Sequence, residues 1–310
     1  MRVRLPRAAR GDRSGMGLLK PPLSRPRHDP GRLFDLRNLR RRPRDENQDY
    51  IRSLCDNAYL GDGDSLCRVL GRFKMFVDTR DVGLSSHLLL DGYWEMWLTE
   101  ALSAVLEKGV VAVDIGANLG YFTLVMAEMV GPLGSVHAFE PNPAIATRLA
   151  RTCDINGYRE RVAIQTDPLG AEQGLAVHLI VPEYEPKNAY IVPWTDDPRA
   201  VALTTRRFDS YPELMDAGVI KIDAEAAEQN IWRGMTAKLD RSDTPMIVFM
   251  EFATIRYEQP GAFLEEIEAR GFSLAEVTML DGIVPRTREQ VLAAPPRIDQ
   301  MLMLRRGGPR

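Results

Sequence analysis

From residue 110 onward, short apolar runs alternate with stretches in which apolar residues recur every three or four positions. VVAVDI (110–115) is a continuous apolar run, which predicts a strand buried on both faces. Residues 119–130 predict a helix closed by Gly131-Pro132, and SVHAFE (135–140) a second strand. Asn142 and Pro143 fit the cap and first position of the next helix. Along that helix Ile145, Leu149 and Cys153 fall four apart, so Cys153 is expected in the core. A third strand follows at 161–166. Residues 176–194 and 200–206 alternate like strands with no helix between them, a β insertion. A short helix (209–216), the strand GVIKID (218–223), a longer helix (225–239), a buried strand (245–252), a helix (261–270), a strand (272–280) and a closing strand (301–306) complete the series. Upstream, residues 86–107 read as one helix ended by Lys108-Gly109, and 49–80 as a short accessory unit ending in a strand. Strands alternating with helices predict an α/β fold with a doubly wound, mostly parallel sheet. The chain accordingly divides into a leader (1–44), an accessory segment with a helix (45–107) and a main domain (108–306).

Composition sharpens this picture in two places. Residues 1–44 hold 14 Lys and Arg against 3 Asp, a local excess of +11, whereas the remainder carries −14. The Arg/Pro/Gly-rich opening has too few apolar residues to pack, and we read it as a disordered leader, with Met16 as an alternative start, rather than an arm for nucleic acid or anionic lipid. The acidic body argues against duplex binding, which needs a basic face. Three Cys without C-x-x-C spacing disfavour a disulfide scaffold and a thiolate zinc site. No apolar run approaches the ~18 residues of a membrane span, and no secretory signal is visible. Together these features predict a soluble, cytoplasmic protein.

In a doubly wound sheet, ligands bind beyond the carboxyl ends of the strands, at the switch point. Nearly every predicted strand delivers a carboxylate there: Asp114 ends the first, Glu140 the second, Asp167 the third, Asp223 the fourth with Glu225 just behind it, and Glu251 the fifth. The loop after the first strand lacks two of the three glycines of a G-x-G-x-x-G fingerprint, with Asn118 and Tyr121 in their places. A phosphate-binding lysine is also absent. Gly116 and Gly120 still allow close ligand approach, and Asn118 tolerates left-handed dihedrals. Glu140 follows Gly120 by 20 residues, the separation expected of a ribose-binding carboxylate. A ribose grip without a pyrophosphate cradle fits S-adenosylmethionine, whose sulfonium suits acidic surroundings.

VVAVDIGANLGYFTL, VHAFEPNP, VIKIDAEAAE and VFMEF resemble the FkbM family of S-adenosylmethionine-dependent methyltransferases, over about residues 70–305. The resemblance implies the Rossmann-like class I methyltransferase fold and methylation of hydroxyl oxygens on natural products, sugars or glycans. Carried over by position, Gly116, Asn118 and Gly120 line the methionine portion of the donor, with Asp114 beside them. Glu140 holds the ribose hydroxyls and Asp167 lies near the adenine. The family pattern D-V-E-G-A-E is met by Asp223-Ala224-Glu225-Ala226-Ala227-Glu228, with Ala226 in place of glycine, which puts the acceptor pocket in question. That departure keeps a second reading open, a non-catalytic S-adenosylmethionine-binding protein serving regulation or assembly.

Methylating an alcohol requires a group that takes its proton, and a carboxylate in hydrogen-bond reach is the natural base. Asp223 is the first candidate. Glu225, expected at a helix start where the dipole favours its charged form, and Glu251 support it. Lys221, a lysine inside an apolar strand, orients a carboxylate or lowers a hydroxyl pKa in the functional reading and is a paired structural lysine in the other. Glu95, which resembles an acidic position of the family, and Asn188 in the β insertion are candidates for the acceptor pocket. A divalent metal on the three strand-end carboxylates ranks below a metal-free site, since no His lies near them in sequence. Nucleic-acid amine methylation is disfavoured by the lack of an Asp/Asn-Pro-Pro-aromatic clamp, and a dehydrogenase by the broken glycine pattern. Oligomeric state has no signal in the sequence.

Overall fold

The computed structural model describes residues 33–307. Of the residues expected as an unpacked leader, 1–32 lie outside that range. The rest of that segment corrects the expectation. Leu36–Arg40 form a 3-10 turn whose Leu36 and Leu39, three residues apart, are buried in the core together with Phe34 just before it.

Helix α1 (Arg44–Leu54) leads into an antiparallel sheet of β1 (Asn57–Gly61), β2 (Asp64–Val69) and β3 (Phe73–Asp78). The expected 86–107 helix is instead two, α2 (Leu84–Leu90) and α3 (Met96–Val105). Gly92 (φ +74°) and Glu95 (φ +34°) take left-handed dihedrals that no helix continues through, and the break turns Glu95 toward the main sheet.

The main domain alternates as the apolar runs predict: β4 (Val111–Ile115), α4 (Tyr121–Val130), β5 (Ser135–Phe139), α5 (Pro143–Ile155) and β6 (Val162–Gln165). Asn142 caps α5 by accepting the Ala144 N–H at 3.1 Å, with Pro143 at its first turn. The insertion is a three-stranded antiparallel sheet of β7 (Ala176–Ile180), β8 (Tyr190–Val192) and β9 (Val201–Thr204), with β7 central. Two 3-10 turns replace the helix expected at 209–216. The chain then runs through β10 (Ala217–Ile222), α6 (Glu228–Arg233) and α7 (Thr236–Leu239). The longer helix expected over 225–239 is therefore late and broken. Glu225 and Ala226 hold positive φ ahead of it, and at Gly234, where it breaks, an added Cβ would meet the Gly170 carbonyl oxygen at 2.2 Å. Next come β11 (Met246–Phe252), α8 (Pro260–Ala269) and β12 (Ser273–Thr278). A hairpin strand β13 (Gly282–Pro285) and a capped helix α9 (Arg288–Leu292), neither expected from the sequence, precede β14 (Gln300–Arg306).

The main sheet has the order β13-β12-β14-β11-β10-β4-β5-β6. Strands β4, β5, β6, β10 and β11 are parallel, and β14 is antiparallel to both neighbours. The fold is Rossmann-like and doubly wound. Alternate residues serve opposite cores: Ala112 packs on the side of α4, while Val113, Ile115, Ile220 and Ile222 pack on the side of α6 and α8. Covering both faces at about 1.5–3 kcal/mol per fully buried large side chain explains why these strands tolerate almost no polar residue. Lys221 and Asp114 are two charged exceptions, and they sit in register on β10 and β4, the two strands at the switch point.

Candidate active site

The crevice opens where β4 and β10 lie side by side and the chain leaves them for opposite halves of the sheet. At Gly116 (φ +76°) an added Cβ would stand 1.8 Å from the Asp223 carbonyl oxygen, and the Asp223 N–H donates to the Ile115 carbonyl at 3.1 Å. The two strand-end loops are thus in backbone contact. Asn118 (φ +50°) donates its N–H to Glu140 Oε2 at 2.8 Å, and the Asn142 N–H donates to Glu140 Oε1 at 2.9 Å. Burial pushes the Glu140 carboxyl up to about 7, against the pull of those two amides. Gly116, Asn118, Glu140 and Asp167 line one cavity, walled by Phe139, Leu169, Leu179, Ile191 and Ile231. Asp167 accepts the Tyr211 hydroxyl at 2.7 Å and faces Arg206 at 3.7 Å. Two expected cofactor residues do not line it. Asp114 is fully buried beneath, covered by α4, whose Thr123 hydroxyl it accepts at 2.6 Å. Gly120 starts α4 at φ +94° and abuts Leu149 instead.

A second cavity shares Gly116, Asn118, Asp223 and Glu225 with the first and adds Glu95, Lys221 and Glu251. Lys221, 1% exposed, donates to Asp223 Oδ2 at 2.9 Å with its ammonium 5.0 Å from the centre of the Phe122 ring. Burial pulls the Lys221 ammonium down, but Asp223, Asp114 and Glu95 together outweigh it and hold it above its usual value. Burial, then Asp223, pushes Glu95 up to about 7 and Glu251 up to about 8. Glu225 is also pushed up, by burial and then Asp223. This corrects the helix-dipole expectation: α6 begins three residues later, so no helix end favours its charge. A third cavity of about 610 Å³ lies between the β insertion and the start of α6. It holds Asn188, which donates to Glu185 at 2.9 Å, together with Ala226, Tyr190 and Arg256. The two expected acceptor residues, Glu95 and Asn188, therefore stand in different cavities. Glu225 lines all three.

The Methyltransferase FkbM domain matches residues 114–274, more than half of the chain and all of the strand ends that build these cavities. The chain belongs to the FkbM methyltransferase family. It is an S-adenosylmethionine-dependent methyltransferase. Among solved structures it is similar to a methyltransferase FkbM from Methylobacillus flagellatus, at 14% identity over 65% of this chain and 45% of that one, with a TM-score of 0.40. It is also similar to an S-adenosylmethionine-dependent O-methyltransferase from Thermotoga maritima (14%, 81% and 96%, 0.41). A third is an O-methyltransferase from Bacillus cereus in complex with S-adenosylhomocysteine (14%, 74% and 83%, 0.38). No curated protein matches the sequence.

The residues of this FkbM methyltransferase suit its donor. An apolar-walled cavity, with one carboxylate held by two amides, continues into an acidic one. Two charged residues of the site were not anticipated. Arg256 pairs with Glu251, with Asp299 at 3.0 Å, with Glu225 at 3.6 Å and with Glu228 at 3.9 Å. Only the five-residue spacing from Glu251 hinted at it. Lys187 of the insertion lines both inner cavities, and no sequence signal separated it from a surface lysine. Among the described residues no group of three or more His, Cys, Asp and Glu is arranged to hold a metal ion, and no helix is long and apolar enough to cross a membrane.

Proposed function

We propose that this methyltransferase methylates a hydroxyl oxygen of a small molecule, a sugar or a glycan, with Asp223 as general base. The observation that carries the reading is the position of Asp223. It alone of the strand-end aspartates lines both inner cavities, and a buried ammonium holds its carboxylate in place. In this reading Glu140 grips the ribose hydroxyls and Asp167 lies beside the adenine, while Gly116 and Asn118 follow the chain of the donor. When bound, S-adenosylmethionine supplies an electrophilic methyl group on a sulfonium. Asp223 accepts the hydroxyl proton as the oxygen attacks, and Lys221 keeps its carboxylate from swinging away. Glu251, tied to Arg256, and Glu225 confine the acceptor from the opposite side. Glu95 and Asn188 contact it at the edges of their separate cavities. Holding nucleophile and methyl group in line can remove roughly 7–11 kcal/mol of the barrier, so positioning carries more of the rate than the base.

The three free cysteines, two of them buried, fit action in a reducing compartment such as the cytoplasm. The test is methyl transfer from S-adenosylmethionine across a panel of sugar, glycan and polyketide alcohols. Asp223→Asn lowers kcat about 10²–10⁴-fold while leaving donor affinity nearly unchanged. Full turnover in that variant, or transfer to amines and never to alcohols, overturns the assignment.

A further inference from the structure

The outer cavity, about 610 Å³ between the β insertion and α6, differs in chemistry from the two inner ones. Strands β7 and β8 present Val177, Tyr190, Ile191 and Val192 to it, and Leu169 and Ala227 line it from the main domain. Its polar side chains are largely engaged within the fold. The Thr205 hydroxyl accepts the Leu175 N–H at 3.1 Å and donates to the Glu172 carbonyl at 2.7 Å. The Asn188 amide donates to Glu185, and the Arg256 guanidinium is shared by Glu251, Asp299 and Glu225. Leu175 and Tyr190 also line the cavity yet are 47% and 43% exposed, and Trp194, next to its Pro193 edge, is 73% exposed. Apolar side chains left in water around a concave surface mark a ligand site rather than a packed core. We propose that this cavity receives the non-reacting body of the acceptor, and that this body is apolar and uncharged, a ring system or alkyl chain with the reacting hydroxyl at its inner end.

This rests on the acceptor reading above and names the class of molecule it takes. Glu225 lines the outer cavity and both inner ones, so a ligand seated against Val177 and Ile191 passes Glu225 to bring its hydroxyl to Asp223. Leu169, Ile191 and Ala227 also face the donor cavity, which leaves a thin apolar partition between donor and acceptor body. Charge decides against an anionic body. Arg256 is the one basic residue lining the cavity among the described residues, and four carboxylates already compete for it, those of Glu225, Glu228, Glu251 and Asp299. A carboxylate or phosphate entering here is desolvated without a free counter-ion. A polyhydroxylated body fares little better, because its hydroxyls face Val177, Ile191 and Val192 unpaired. The insertion is anchored to the accessory segment by the Val82 N–H donating to the Tyr184 carbonyl at 3.0 Å, and to the main domain by the Gly170 N–H donating to the Arg206 carbonyl at 2.9 Å. The apolar wall is thus held in place before any ligand arrives.

The probes are 1-butanol, 1-hexanol and 1-octanol, with 8-hydroxyoctanoate placing a carboxylate at the far end of the longest chain. Ligand-detected NMR titration of the full chain, saturated with S-adenosylhomocysteine, is expected to give dissociation constants that fall about threefold per added methylene. Binding of 8-hydroxyoctanoate is expected to be about tenfold weaker than that of 1-octanol. Ala176→Trp fills the cavity from the exposed first position of β7, and Val192→Asp charges its wall. Each is expected to remove the dependence on chain length while leaving S-adenosylhomocysteine affinity within about twofold. Affinity that stays flat along the series, or a chain-length effect that survives both variants, overturns the subsite, and tighter binding of 8-hydroxyoctanoate overturns the uncharged body. Methyl transfer to the alcohols without any gain along the series overturns the subsite and leaves the proposed reaction standing. The full chain-length effect in an Asp223→Asn protein that still turns over supports the subsite and overturns the general base alone.

Discussion

Ala226 occupies a dihedral that costs an alanine about 1–2 kcal/mol and a glycine almost nothing, since φ is +75° there. The residue that the FkbM pattern places at this position is therefore explained by backbone conformation rather than by room for a ligand. Glycine loses about 0.5–1 kcal/mol more than alanine on folding, so the two terms oppose each other. The left-handed term is the larger, and Ala226→Gly should stabilise the protein by about 0.5–1 kcal/mol in urea unfolding; a loss of stability would show that the loop relaxes around alanine. Glu140 is the contrasting residue, because its carboxylate serves two backbone amides already. Glu140→Ala frees those amides and removes the proposed ribose grip. Loss of a charged hydrogen-bonding group of this kind weakens S-adenosylmethionine binding about 10–100-fold, and unchanged affinity would remove the ribose assignment.

At the scale of elements, the site exists because β4 and β10 end in contact. Gly116 is the point of contact, and any Cβ there collides with backbone that cannot swing aside. Gly116→Ala should cost about 2–5 kcal/mol, the sum of a left-handed alanine and an overpacked junction, read as a lower urea midpoint together with lost donor binding. A variant that keeps full stability would mean the strand ends part easily. The same elements show what a sequence can and cannot reveal. The buried runs at 110–115 and 245–252 and the Asn142-Pro143 start are local signals, and the strands and the α5 cap follow from them. The rim carboxylates Glu140, Asp167, Asp223 and Glu225 were legible for the same reason, each standing just past a strand end, and Glu251 one residue inside its own. The left-handed turns at Glu95, Glu225 and Ala226 were not, because tertiary packing selects them against residue preference. Asp114 was misplaced because α4 covers it, its carboxylate accepting the Thr123 hydroxyl beneath the rim. Arg256 acts through acidic partners, and Lys187 lines the cavities, only because the folded chain brings distant segments together.

The whole molecule carries an excess of buried acid. Burial pushes the carboxyls of Glu95, Glu140 and Glu228 up to about 7 and that of Glu251 up to about 8, with Asp223 adding to the shift of Glu95, Glu228 and Glu251. In the unfolded chain each titrates near its ordinary value of 4.5. Between about 4.5 and 8 the folded protein therefore binds more protons than the unfolded one, and stability falls as pH rises through that window. His137, pulled down by burial, works the other way below 6.5, but it is one group against four. Lys238, lowered to about 8 by burial, makes stability rise again only above that value. The ligand-free protein should melt at least about 2 °C higher at pH 5.5 than at pH 8 at constant ionic strength. A sulfonium in the acidic cavity favours ionised carboxylates, so saturating S-adenosylmethionine should flatten the slope, whereas neutral 5′-methylthioadenosine should leave it steep. A ligand-free melting temperature that climbs from pH 5.5 to 8 would mean that these carboxylates stay ionised inside the fold, and that the acidic crevice meets the donor already charged.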